Sequence, residues 1–350
     1  MERKKRVLNF SPPAIHRKEI KYNADYQLEW AAWIPKLDHY TLEKVDFLSI
    51  TGDAPKDFIT VSEYRAGHRS RRQRQESYIA KVGSKYYPIE SITEQLITRL
   101  GEIFALCIAE SQLRMVDGQV RFMSKYFLDR QNEQLTHGAE IYELCIGKED
   151  YAQLAEKRTE REYFTFQMTC EAIAAALPGQ EIRIIKGLVE MLTFDALIGH
   201  NDRHPYNWGV IVPLRKSRRP RFSPVYDTAR ALFWNIPERR VLQMLDDSRQ
   251  FEKYVAGCLP PVGWDSEPNI DFFRLIGLIW RDFAAYRKNI EKFLDDKLLP
   301  ECCRMIDAEF ARLLSQERRE LIKRCLHLRH GNLCRAVRDC TGKEGENNAT

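Results

Sequence analysis

Asp202 and Asn207 stand five residues apart in Leu197-Ile198-Gly199-His200-Asn201-Asp202-Arg203-His204-Pro205-Tyr206-Asn207-Trp208, and Asp227 follows in Pro224-Val225-Tyr226-Asp227-Thr228. Phosphoryl transfer needs a carboxylate beside the acceptor hydroxyl and oxygen ligands for the magnesium that escorts the phosphates. Asp202 suits the first role. Asn207 and Asp227 suit the second, because Mg2+ is a hard cation that takes carboxylate and amide oxygens. A lysine that grips the nucleotide phosphates belongs on a strand, and Lys81 in Tyr78-Ile79-Ala80-Lys81-Val82 has that setting. Taken singly, an Asp or Asn in a loop more often caps a helix or makes a turn. The weight rests on four such residues in the right order, each in a fitting local element.

The elements that must position them are legible in outline. Two β-rich runs, Phe58 to Tyr64 and Ser77 to Gly83, flank a polar connection and predict a hairpin with a long tip. Ser91-Ile92-Thr93-Glu94 reads as a capping box opening a helix through about Ala109. A second strand pair is predicted at 114–116 and 119–126, turned by Asp117-Gly118. Beyond Arg130 helical periodicity dominates from Gln134 to Gly199, where Ile185, Leu188, Leu192 and Ala196 trace an apolar stripe. A short β insert at 208–212 and 222–226 follows, then helices at 270–293 and 313–337. The fold class expected is α+β, in two lobes. Residues 58–130 form a small β-rich lobe and 131–340 a larger helical lobe. Residues 1–57 are an extension with a short helix near Asp25 to Ile34, and 341–350 a frayed tail.

Composition narrows the class. The 350 residues are 44% hydrophobic and 30% charged, with 11% aromatics, which excludes a wholly disordered or fibrous chain. No apolar run approaches the roughly 18 residues of a membrane span, and no signal-peptide core follows the basic start, so a cytoplasmic protein is expected. Nine cysteines at irregular spacing fit reduced thiols. The cluster Cys325-x-His327-x-x-His330-x-x-x-Cys334 reads better as a basic amphipathic helix than as a zinc site, since zinc sites gather pairs from separate elements. Net charge is only +5, but residues 65–74 hold five arginines and 215–221 five basic residues, with no acid in either. The remainder of the chain is therefore mildly acidic, with two cationic hairpin tips.

Asp202-Arg203-His204-x-x-Asn207 followed by Pro224-Val225-Tyr226-Asp227 resembles the HipA-like kinases. The Asp-Arg-His-x-x-Asn string is also similar to the catalytic loop of phosphoinositide kinases, and its frame to those of aminoglycoside phosphotransferases and protein kinases. The Pro-Val-Tyr-Asp element and the helical C-terminal third favour the HipA-like family. The resemblance spans about residues 58–340. It implies a bilobal kinase that binds ATP and Mg2+ and phosphorylates Ser or Thr on a protein, in a family whose members are often toxins paired with a DNA-binding antitoxin. Asp202 would then be the catalytic base, Asn207 and Asp227 the magnesium ligands, and Lys81 the phosphate-binding lysine. The segment 123–128, with Lys125 and Phe127, would be the hinge that faces adenine, or else an ordinary strand end. Glu94 would pair with Lys81, or serve only as the N3 residue of its capping box. His204 would brace the catalytic loop or be simply structural.

Two departures qualify the likeness. The residues before Phe58 are too few for the additional N-terminal subdomain of full-length HipA proteins, so the chain resembles the short, stand-alone members. The nucleotide-covering loop at 65–74 holds a single glycine, Gly67, where small residues normally let backbone N–H groups approach phosphate. Its arginines would neutralise phosphate instead, or the loop would order on autophosphorylation at Ser62 or Ser70. The tip at 215–221 is either a solvated turn or a contact for an anionic partner, RNA or acidic protein, with a salt slope of about −4 to −5 if five phosphates are met. Alternatives to an active kinase are a catalytically silent kinase fold and a small-molecule phosphotransferase of the aminoglycoside type. The latter predicts an acidic acceptor pocket, and no acid cluster adjoins the catalytic loop.

Overall fold

A computed structural model describes residues 30–37, 42–44, 56–63, 74–83, 85–116, 118–157, 159–215, 218–265 and 267–347. In chain order the strands are β1 (Leu42–Lys44), β2 (Lys56–Glu63), β3 (Arg74–Lys81), β4 (Ser111–Val116), β5 (Gln119–Lys125), β6 (Glu133–His137), β7 (Gly209–Pro213) and β8 (Arg221–Phe222). The helices are α1 (Ile89–Ile103), α2 (Gly138–Ile146), α3 (Lys148–Lys157), α4 (Glu160–Tyr163), α5 (Phe166–Ala176), α6 (Glu181–Ile198), α7 (Glu238–Asp246), α8 (Ser248–Ala256), α9 (Phe272–Asp282), α10 (Arg287–Glu291), α11 (Leu298–Glu309) and α12 (Gln316–Asn347). Among these, no helix is long and apolar enough to cross a membrane.

The small lobe is an antiparallel sheet of order β1-β2-β3-β5-β4 with α1 packed on it. Alternation along β2 and β3 buries Ile59, Val61, Tyr78 and Ala80 in one cluster, and the pairing Lys56↔Lys81 sets the hairpin register. The lobe takes in residues ahead of Phe58: β1 pairs with β2, and Leu37 donates its N–H to the Met115 carbonyl. Of the short helix expected near Asp25 to Ile34, the described part is a 3-10 turn at Trp30–Ala32. Residues 64–73, the tip of the hairpin, lie outside the described residues, and with them the glycine-poor loop and Ser70.

The large lobe is built around α6. Its expected stripe is buried, but so are Val189, Met191, Phe194, Leu197 and Ile198, so the C-terminal half of this helix, 191–198, is enclosed on all sides. α12 packs across α9, α6 and α7. A second sheet, β6-β7-β8, stands at the lobe boundary.

Four expectations require correction. α1 starts at Ile89, two residues ahead of the proposed capping box, and ends at Ile103. Ser91 is buried within the helix, where its Oγ accepts from the Gly83 N–H. Glu133–His137 is a strand, because β7 offers it a partner (Leu135↔Ile211, Thr136↔Val210) that no local pattern reveals. The helix expected over 270–293 breaks after Asp282, where Arg287 donates to the terminal carbonyls of Trp280 and Arg281 at 2.8 and 3.2 Å and closes α9. Finally, α12 runs on to Asn347, past the point of expected fraying at Cys340.

Candidate active site

Lys81 ends β3 and crosses to both neighbours. Its Nζ lies 2.9 Å from Glu94 Oε1 on α1 and 3.0 Å from Asp227 Oδ1 of the large lobe. Burial opposes the ammonium charge, but the Asp227 and Glu94 carboxylates outweigh it and hold Lys81 above the usual lysine range. Burial likewise opposes charge on Asp227, and Lys81 overcomes it, so this carboxyl sits well below its ordinary range. Glu94 is pushed up to about 7, chiefly by burial and against the pull of Lys81. Glu94 pairs with Lys81 from within α1, which begins at Ile89, so it does not cap that helix.

The loop after α6 starts at Gly199, whose φ of +69° closes the helix in the left-handed region. A Cβ at Gly199 would also come within 3.0 Å of the Arg329 guanidinium. His200 follows, fully buried and drawn down to about 4 by burial, so its neutral ring accepts from the Asp202 N–H at 3.4 Å. The Asp202 carboxylate is a third exposed and lies 3.1 Å from Arg230 Nε. Burial raises its pKa, opposed by Arg230 and His204. His204 is exposed, and its Nδ1 accepts from the Tyr206 N–H, capping the 3-10 turn Pro205–Asn207. Asn207 is buried in that turn and donates Nδ2–H to the Asp202 carbonyl at 2.8 Å, a bond that leaves the amide oxygen as the acceptor at its other end.

Asp227 is carried on a segment pinned to the other lobe. Val225 donates to the Cys107 carbonyl at 2.7 Å and receives from Ala109 N–H at 2.9 Å. Asp227 itself has φ of +56°, a left-handed conformation that an aspartate occupies at some cost. Glu94, Phe122, Ser124 and Asp227 line a narrow cleft between the lobes. Phe127 stands against Tyr226, ring centroids 5.9 Å apart, on the approach to Asp227. Lys125 is turned elsewhere: its Nζ bonds Glu110 at 2.7 Å and its N–H bonds the Glu110 carbonyl.

The residue that unites the site was named in the sequence motif without a role. Arg203 is buried, with Nε and Nη2 on Asp195 at 2.8 and 2.9 Å, and its Nη1 donates to the carbonyls of Asn207 (2.8 Å) and Tyr226 (2.7 Å). One guanidinium thus ties α6, the Asn207 turn and the residue before Asp227. A signal for it existed: Asp195 is a lone acid in the apolar run Met191–Ile198, and a buried carboxylate requires a partner. The second basic tip is less free than its sequence suggests. Arg221 is bidentate to the buried Glu133 at 2.6 and 3.0 Å, and Arg218 approaches the same carboxylate at 3.7 Å, while Arg215 and Arg219 are exposed.

Comparison with known proteins agrees with this architecture. No curated protein matches the chain. Among solved structures, a Helicobacter pylori proinflammatory kinase, CtkA, superposes with a TM-score of 0.65 at 15% identity, covering 88% of this chain and 99% of that one. The HipA protein of a Shewanella oneidensis MR-1 toxin–antitoxin complex with HipB and operator DNA matches at 14% identity and a TM-score of 0.48, covering 83% of this chain and 67% of that one. At such identities the likeness to CtkA concerns the fold, which is that of a bilobal kinase. The model of the HipA-like C-terminal domain matches residues 48–273, which include Lys81, Glu94, Asp202, Asn207 and Asp227, and the chain belongs to that HipA-like family.

Proposed function

We propose that the chain is an ATP- and magnesium-dependent serine/threonine protein kinase of HipA-like type, able to phosphorylate itself and a cellular protein. The observation that carries the reading is the bridge from Lys81 to Glu94 and Asp227, which joins strand, helix and opposite lobe at one charged point. In this reading Lys81, kept fully charged by its two acids, holds the nucleotide phosphates. The donor set fits magnesium: a deprotonated Asp227 carboxylate and an Asn207 amide oriented by its bond to Asp202 are both hard oxygen ligands. When bound, the ion supplies positive charge against the phosphate oxygens.

Asp202 accepts the proton of the Ser or Thr hydroxyl as that oxygen forms a bond to the γ-phosphorus and the bond to the β–γ bridging oxygen breaks, releasing ADP. Partial burial raises the basicity of Asp202, and Arg230 orients its carboxylate. Arg203 and His200 hold the main chain of the loop, and His204 braces the turn that presents Asn207. Phe127 offers an apolar face beside Tyr226 for the base of the nucleotide; for Lys125, committed to Glu110, the role reduces to the strand end that shapes the hinge. A toxin role with an antitoxin partner is proposed on the family alone.

The test is transfer of labelled γ-phosphate by wild type and by Asp202→Asn. The variant should lose several orders of magnitude, about 3–5 kcal/mol of transition-state stabilisation. Absence of transfer by wild type to itself, to lysate proteins and to small acceptors would leave a catalytically silent kinase fold. Transfer to small acceptors only would point to the aminoglycoside type.

A further inference from the structure

Far along the chain from the proposed kinase centre, α12 carries His330 and Cys334 at i and i+4, one turn apart on the same face. His330 is 2% exposed and Cys334 half-buried. Facing them from the connection between α10 and α11 is Asp296, whose side chain is 91% exposed. Asp296 Oδ1 lies 3.6 Å from His330 Nδ1, and Cys334 Sγ lies 3.8 Å from that nitrogen and 3.9 Å from Nε2. All three donor atoms fall within 4.8 Å of one another.

The Asp296–His330 spacing is that of two ligands around one small ion, and the Cys334 sulfur lies a few tenths of an ångström wider, within reach of a rotamer adjustment. With zinc–nitrogen and zinc–oxygen bonds of about 2.1 Å and a zinc–sulfur bond of about 2.3 Å, tetrahedral angles place neighbouring donors roughly 3.4–3.6 Å apart. The chelating pair comes from one helix and the third donor from a separate element, which is how zinc sites are assembled and what the linear Cys-His pattern did not show. A mixed imidazole, thiolate and carboxylate set matches Zn2+ in softness, whereas magnesium and calcium prefer oxygen alone.

We propose that His330, Cys334 and Asp296 form a Zn2+ site that clamps α12 to the α10–α11 connection, with water completing the tetrahedron. Binding forms a sulfur–zinc bond as the Cys334 thiol gives up its proton to solvent, with no change of oxidation state. The neighbouring pair Cys303 and His327, 3.7 Å apart, lies outside this donor set and serves as the internal control.

The full chain, stripped with chelator under reducing conditions, is titrated with Co2+ and then with Zn2+. The expected result is a single saturating equivalent of Co2+ that gives a thiolate-to-cobalt charge-transfer band with tetrahedral d–d bands, displaced by Zn2+. Cys334→Ser should abolish the charge-transfer band. His330→Gln and Asp296→Asn should each weaken binding by about 10-fold or more, while Cys303→Ser leaves it unchanged. As a measurement free of any folding defect in the variants, bound Zn2+ should protect Cys334 of wild type from alkylation, read by peptide mass spectrometry. The proposal is overturned if the stripped chain gives no thiolate band, if the band survives Cys334→Ser, or if Zn2+ leaves the alkylation of Cys334 unaltered.

Discussion

The Asp195–Arg203 pair allows stability and site geometry to be separated. Both side chains are fully buried, and the guanidinium spends two donors on Asp195 and its Nη1 on the carbonyls of Asn207 and Tyr226. Arg203→Met orphans a buried carboxylate, at about 3–5 kcal/mol, and two carbonyls, at about 1–3 kcal/mol each. That total approaches the whole stability of a domain, so this variant is expected to be largely unfolded. Asp195→Asn keeps the shape and removes only the charge partner, costing about 3 kcal/mol. The double change Asp195→Leu/Arg203→Met removes both charges and leaves only the two carbonyls unmet. It should therefore be more stable than Arg203→Met alone, by about 3 kcal/mol or more, which is the reverse of additive behaviour. Urea denaturation at neutral pH measures this coupling. The folded double variant should still lose phosphotransfer by about 100-fold or more, because nothing then fixes the Asn207 turn relative to the Asp227 segment. If the double variant is no more stable than Arg203→Met, the orphaned Asp195 is not the source of the cost. Near wild-type transfer by the folded double variant would refute the role of Arg203 in positioning the site.

Lys81→Met leaves Glu94 and Asp227 facing each other without their cation; we expect a loss of about 3 kcal/mol, partly restored by adding Glu94→Gln, with phosphotransfer abolished in both. His200 is drawn down to about 4 by burial, so between pH 4 and 6.5 the unfolded chain binds the extra proton, and stability contributed here rises with pH and is lost as pH falls. The full effect is about 3 kcal/mol. Glu94, raised to about 7, acts in the opposite sense above pH 4.5, so the informative quantity is the difference in denaturation profile between wild type and His200→Gln; equal slopes over that window would contradict the assignment. Gly187→Ala puts a methyl 2.4 Å from Phe222 Cβ, where α6 passes β8, and thermal unfolding should register a loss of about 1–3 kcal/mol.

By itself the sequence determined the chemical set and its frame. Lys81, Asp202, Asn207 and Asp227 could be proposed as a set because Lys81 closes β3 and Asp202 and Asn207 follow α6, elements whose apolar period is local and strong, while Asp227 stands in its own short motif. The β2–β3 hairpin, the β4–β5 pair and the stripe of α6 follow from the same short-range patterns. The tertiary structure decided whatever depended on a distant partner. Ser91 and Glu94 spell a capping box in isolation, yet Gly83 and Lys81, at and just past the end of β3, claim their side chains in the folded chain. Glu133–His137 became a strand only because β7, more than seventy residues later, lies beside it. Arg203 acquired its role when α6, the Asn207 turn and the Asp227 segment met at one guanidinium, and Asp296 met His330 and Cys334 in the same way. Local propensity sees only near neighbours in the chain, while a buried charge is satisfied by whatever the packed fold brings within hydrogen-bonding distance.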